Sequence, residues 1–128
     1  MGKSNTQRTM AELKKRGFKC AIVEKFNAFA ARKDGHRGIR IDMFGIIDII
    51  ALDFERGVIG VQSTGQDFAG HHRKLTEEKA QECIDWLRTP GAHLELWGWR
   101  KVKRKGRMVW EPRIKEYTLD DFIDPFGG

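Results

Sequence analysis

Cysteine is scarce: the 128 residues hold two, Cys20 and Cys83, far apart and with no C-x-x-C pair. A disulfide framework and a thiolate zinc site are therefore not expected. Both cysteines sit in apolar patterns and are expected as reduced core residues, which points to a cytoplasmic setting. Long hydrophobic runs are also missing. No stretch approaches the roughly 18 apolar residues of a membrane span. The opening segment, MGKSNTQRTM, lacks the apolar core of a secretory signal. No internal repeat and no low-complexity segment occurs, which excludes solenoid and array architectures.

What is present is ordinary in amount and uneven in placement. Hydrophobic residues make up 40% and charged residues 33%, the balance of a folded chain, and 128 residues suit one domain with one core. The core is expected over about 7–118, with 119–128 as a tail. The net charge is +6 and the pI about 9.5, which suggests a polyanionic partner, although a merely soluble basic protein would look the same on charge alone. Basic residues gather at Lys14-Lys15-Arg16, from Arg32-Lys33 through Arg37 and Arg40, and from Arg100-Lys101 through Arg107.

Local patterns give a coarse order of elements. Gln7 to Arg16 has good helix formers and stops at Gly17, a suitable residue just past a helix end. Phe18 to Val23 reads as a strand, and Asn27 to Gly38 as a polar, basic loop. Ile46-Ile47-Asp48-Ile49-Ile50-Ala51-Leu52 is an apolar, β-branched run, as in a strand covered on both faces. Glu55-Arg56-Gly57 is expected as a three-residue hairpin loop, with Val58 to Thr64 as the return strand. Arg73 to Leu87 carries Ala80, Cys83, Ile84 and Leu87 at helical spacing. His93 to Trp97 alternates as a strand. Residues 99–104 and 107–117 form a further hairpin turning at Lys105-Gly106. The order α-β-β-β-α-β-β predicts an α/β protein: a central mixed sheet flanked by helices, plus a C-terminal β-hairpin.

Asp48 is the residue that this pattern does not explain. A carboxylate inside an apolar strand costs several kcal/mol unless it is paired, protonated or bound to a cation. With Phe54 opposite Val58, Asp48 falls opposite Thr64, and Ile50 opposite Gln62. Strand parity then sends Asp48, Gln62 and Thr64 to one face. Oxygen groups converging there suit Mg²⁺ or Mn²⁺, whereas a Gln62–Thr64 hydrogen bond or a salt bridge to Asp48 would be purely structural.

The segment from Ile41-Asp42 through Asp48-Ile49-Ile50-Ala51, followed by Gly60-Val61-Gln62-Ser63-Thr64, resembles the motif of PD-(D/E)XK nucleases. It is most similar to the small, Holliday-junction-resolvase-like members from phages and prokaryotes. The likeness covers roughly residues 8–100. It implies a restriction-endonuclease-like α-β-β-β-α-β core and metal-dependent DNA cleavage, with Asp48, Gln62, Thr64 and Lys74 as catalytic positions. Asp48, Gln62, Glu24 and Asp42 would be metal ligands, and relatives of this kind form homodimers. The motif is a variant: Gln62 stands where the family has an acid, and Thr64 where it has lysine. Negative charge would then come from Glu24 or Asp42, and the cation from Lys74 or Arg73.

Contacts to DNA phosphates are expected from Arg32, Lys33, Arg37 and Arg40 before the site, and from His71, His72 and Arg73 after it. Lys101, Lys103, Arg104 and Lys105 on the later hairpin are expected to do the same. Trp97, Trp99 and Trp110 are expected to build core or interface. No membrane partner and no small-molecule cofactor are expected. A degenerate nuclease fold that binds DNA or protein without cutting remains an alternative. A basic RNA-binding or ribosome-associated protein is a weaker one, since no RNA-recognition motif supports it.

Overall fold

The structure, a computed structural model, describes residues 3–31 and 37–122. Helix α1 (Asn5–Lys15) begins two residues earlier than the propensities suggest, because Ser4 and Gln7 form a reciprocal capping box. It ends as expected at Gly17, whose φ of 91° lets the amides of Gly17 and Phe18 reach back to Lys14 and Leu13.

Strands β1 (Lys19–Ile22), β4 (Ile49–Asp53), β5 (Gly57–Thr64), β6 (Ala92–Arg104) and β7 (Arg107–Tyr117) form one five-stranded sheet in the order β1-β4-β5-β6-β7. The β5–β6 pair is parallel and the others are antiparallel, so the sheet is mixed. Between β5 and β6 the chain crosses over through α2 (Phe68–Arg73), a π-helical turn (Lys74–Glu78) and α3 (Ala80–Arg88). No helix among the described residues is long and apolar enough to cross a membrane.

The expected basic loop at 27–38 is a correction. Strands β2 (Lys25–Ala31) and β3 (Arg37–Ile41) pair antiparallel as a separate small sheet. Ala28-Phe29-Ala30-Ala31 stands in β2 as a contiguous run ahead of the charged residues, and positions 32–36 of the expected loop lie outside the described residues. With β2 and β3 set aside, the order of elements is the one expected from the sequence.

Three other boundaries move. Ile46 and Ile47 lie in a tight turn before β4, yet both are fully buried. The helix expected from Arg73 starts at Phe68, where Asp67 caps it through the Gly70 amide, and a π turn interrupts it. The strands expected at 93–97 and 99–104 are one continuous strand. Gly98 breaks the side-chain pattern because a Cβ there would lie 2.6 Å from the Phe68 ring, so glycine admits the ring and the strand runs on.

The register of the β4–β5 hairpin also differs. The loop is Phe54-Glu55-Arg56, and Asp53 pairs with Gly57 and Leu52 with Val58. Asp53 draws the turn closed by accepting hydrogen bonds from the amides of Glu55 (2.9 Å) and Arg56 (3.1 Å), and Gly57 takes φ 126°. The shift is two residues, so facing is preserved, and the register continues to place Asp48 opposite Gln62 rather than Thr64.

The sheet is covered on both faces. Leu13 of α1 packs with Ile49, Ala51, Ile59, Val61, Trp97 and Trp99 on one face. Leu75 and Cys83 pack with Ile46, Ile47, Leu94, Leu96 and Tyr117 on the other. Trp97 and Trp99 are core as expected, whereas Trp110 is 41% exposed. Part of the expected tail is ordered against the core: a 3₁₀ turn (Leu119–Asp121) brings Phe122 to 6.1 Å from the Tyr117 ring.

Candidate metal centre and cleft

The cleft opens at the end of the sheet where β5 finishes and β4 begins. Asp48 is fixed there by its backbone: its amide donates to Val61 and its carbonyl accepts from Val23. Its side chain is 4% exposed. Oδ2 accepts hydrogen bonds from the Ser63 amide (3.1 Å) and from Gln62 Nε2 (3.2 Å). Gln62 Nε2 also donates to Asp42 Oδ2 at 2.9 Å, so one amide group ties two carboxylates together. Glu24, between β1 and β2, completes the cluster: one oxygen each of Glu24, Asp42 and Asp48 lie within 4.8 Å of one another.

Two oxygens in this cluster have no hydrogen-bond partner among the described residues, Asp48 Oδ1 and Gln62 Oε1, and both are buried. An acceptor left alone in the interior costs on the order of 1–3 kcal/mol. Burial is also the main reason the Asp48 carboxyl is pushed up to about 7. Asp42 and Glu24 add repulsion, while the Ser63 amide and Gln62 oppose the shift. A cation would remove these costs together. The donor set is all oxygen, as hard divalent cations such as Mg²⁺ or Mn²⁺ require, and Gln62 would enter as a neutral ligand. The residues therefore fit a divalent ion.

The other expected site residues divide. Thr64 lines the cleft, and Lys74 Nζ stands 3.6 Å from Asp42 Oδ2. His71 also lines it; its Nδ1 is buried without a hydrogen-bond partner among the described residues, and burial holds the ring below its ordinary pKa. His72 instead stacks on Tyr117, with Nδ1 2.6 Å from the phenolic oxygen, so its ring is engaged away from the cleft. Arg73 is exposed beside Lys74. Arg37 and Arg40 lie on β3, and Arg32 and Lys33 fall outside the described residues. Lys101, Lys103, Arg104 and Lys105 are exposed on the β6–β7 hairpin, where Glu111 holds Arg104 through two hydrogen bonds of 2.8 and 2.9 Å.

Sequence reasoning missed one wall of the cleft. Ser4, Asn5 and Thr6, at the start of α1, line it together with Gly65. The signal was the capping box itself, Ser4-Asn5-Thr6-Gln7, which fixes where the helix begins. The cleft, about 370 Å³, adjoins a trough of about 420 Å³ lined by Ile22, Lys25 and Phe26, and the two share Ser4, Thr6 and Glu24. No family model, no curated protein and no solved structure matches the chain.

Proposed function

We propose that the chain is a divalent-metal-dependent DNA endonuclease with a restriction-endonuclease-like, PD-(D/E)XK core, acting on duplex or branched DNA as the resolvase-like resemblance implies. The observation that carries this reading is the pair of buried, unpartnered oxygens, Asp48 Oδ1 and Gln62 Oε1, set among the carboxylates of Glu24 and Asp42. A bound Mg²⁺ or Mn²⁺ would lower the pKa of a water and offset charge on a phosphodiester. Asp48 would anchor it, Gln62 would hold Asp48 and Asp42 in place through Nε2, and Glu24 and Asp42 would supply the charge that Gln62 lacks.

The family's lysine position holds Thr64, a neutral group. Lys74 is the candidate substitute cation, since it already lies against Asp42. The first-turn amides of α1 are a second source of positive potential in the cleft: Ser4 Oγ occupies the Gln7 amide, and the Asn5 and Thr6 amides have no intrahelical acceptor. Cutting two strands would need two such sites, so a homodimer belongs to this reading. The variant positions Gln62 and Thr64 favour a second reading, a nuclease fold that binds DNA without cutting.

The test is cleavage of linear duplex, single-stranded and four-way-junction DNA with Mg²⁺, Mn²⁺ or EDTA. Loss of even an outer-shell metal partner costs about 10–100-fold, so Asp48→Ala, removing a direct ligand, should lose more than about 100-fold while remaining folded. A folded Asp48→Ala protein that cuts at the wild-type rate rejects the site. Tight binding with no cutting under any metal moves the reading to the binding module.

A further inference from the structure

The longest strands of the protein do not end with the sheet. β6 runs parallel to β5, and their last paired residues are Thr64 and Gly98. Thr64 also lines the cleft, so β6 passes the site and continues beyond it from Trp99 to Arg104, paired there with β7 alone. At roughly 3.4 Å per residue, this two-stranded arm reaches about 20 Å past the paired end of β5. It leaves from the same end of the sheet at which the cleft opens.

Cross-strand pairing decides what one face of the arm displays. Lys101 lies directly opposite Trp110, and Lys103 opposite Met108. Directly opposed residues share a face. The face is the one that carries α1, because Trp99, two residues before Lys101, donates its indole N–H to Thr9 of α1 at 2.8 Å. Trp110 is 41% exposed and Met108 61%. The Arg8 guanidinium sits 3.8 Å from the Trp110 ring centroid, and Lys101 Nζ sits 5.4 Å from it. Arg8 in turn donates to Asn5 Oδ1 at 3.2 Å, and Asn5 lines the cleft. A connected strip therefore runs from the cleft over Asn5 and Arg8 to Trp110 and Lys101, then to Met108 and Lys103.

We infer that this strip binds an unpaired DNA strand leaving the cleft. Two apolar side chains on β7 stand abreast of two cations on β6 along it. Cations suit phosphates, and an exposed indole or thioether suits the face of a base, which an unpaired strand offers and a duplex hides within its stack. The strip gives the arm a role that charge alone does not: preference for a substrate with a single-stranded flank. The link to cleavage rests on the proposed nuclease reading, but the strip itself needs no metal.

Binding should be measured by fluorescence anisotropy in EDTA, with an oligothymidylate strand and a blunt duplex as probes. Stacking contributes about 1–3 kcal/mol per base, so Trp110→Ala should weaken strand binding by about 5- to 150-fold while leaving the blunt duplex nearly unchanged. Trp110→Phe should retain most of the affinity, and the strand-induced quenching of indole fluorescence expected of the wild type should be smaller in that variant. Lys101→Ala with Lys103→Ala should reduce the salt slope by about 0.7 for each phosphate that is no longer neutralised. Equal losses on strand and duplex, or no loss on the strand with a folded Trp110→Ala protein, would overturn the inference. These binding measurements need no metal, so a wild-type protein that does not cleave but keeps the Trp110 effect would reject the nuclease reading and leave the strip standing.

Discussion

The β4–β5 hairpin has an aspartate at each end, and the two are treated in opposite ways. At the turn, Asp53 accepts hydrogen bonds from two amides and from Arg56 Nε at 2.6 Å, and its carboxyl is held down to about 2, chiefly by Arg56. The same arginine reaches Glu95 and Glu116, each at 3.8 Å. At the open end, Asp48 has amides on one oxygen and no hydrogen-bond partner among the described residues for the other, and its carboxyl is pushed up to about 7. One acid receives a cation from three residues along its own chain. The other is buried beside two more acids, an arrangement that raises the cost of charge. Asp53 is supplied with its counter-charge by the fold, whereas in the proposed reading Asp48 would take its counter-charge from a bound cation.

The largest effects should appear when Asp48 is changed. Its folded pKa lies above the unfolded value near 4, so without metal it favours folding fully below about pH 4, and that contribution is lost as pH rises to about 7. Three pKa units correspond to roughly 4 kcal/mol at most. Chemical denaturation of the metal-free wild type should thus show stability falling between pH 4 and 7, and Asp48→Asn should flatten that fall. Above pH 7, Mg²⁺ or Mn²⁺ at about 100 times its dissociation constant should restore about 2.7 kcal/mol to the wild type and nothing to Asp48→Asn. Equal stabilisation of both proteins by metal would erase the difference between the two ends.

The two ends also differ in how far the sequence disclosed them. Asp48 was legible because one carboxylate interrupts a β-branched run, and strand parity brought Gln62 to its side even though the register was two residues off. The register failed because Asp53 closes the turn with its own carboxylate, and that contact depends on backbone geometry rather than composition. Glu24 and Asp42 were reached only through the family resemblance, since their meeting depends on β1 pairing with β4 and on the turn around Phe44 and Gly45, at φ 56° and 75°. The α1 wall was hidden for a different reason: Ser4 to Thr6 carry no unusual chemistry until the helix start faces the cleft. The first strand of the arm reads as two because Gly98 looks like a break, and only the Phe68 ring above it explains a glycine within a continuous strand.

A smaller, sharper test is Gln62→Glu. Gln62 is 1% exposed and bridges Asp48 and Asp42 through its N–H groups. A glutamate there loses both donors and adds a fourth carboxylate. The metal-free protein should become less stable at neutral pH by like-charge repulsion. Metal affinity, read by isothermal titration, should rise about tenfold, equivalent to about 1.4 kcal/mol. A folded Gln62→Glu protein with unchanged or weaker affinity would mean that position 62 does not face the ion, and the site would contract to Asp48, Asp42 and Glu24.

The smallest effect belongs to the closed turn. Arg56 is partly exposed, and ion pairs of that kind contribute little on average. Arg56→Met should lower stability slightly and leave metal affinity unchanged. Its signature is in the pH profile. The Asp53 carboxyl lies below its unfolded value, so its contribution is present above about pH 4 and lost as pH falls to about 2. Without Arg56 the folded and unfolded values draw together, and the acid limb of the stability curve should become shallower, while the fall between pH 4 and 7 set by Asp48 remains. A change in that second limb would show that the two ends of the hairpin are electrostatically coupled, and the division between a structural acid and a ligand acid would no longer hold.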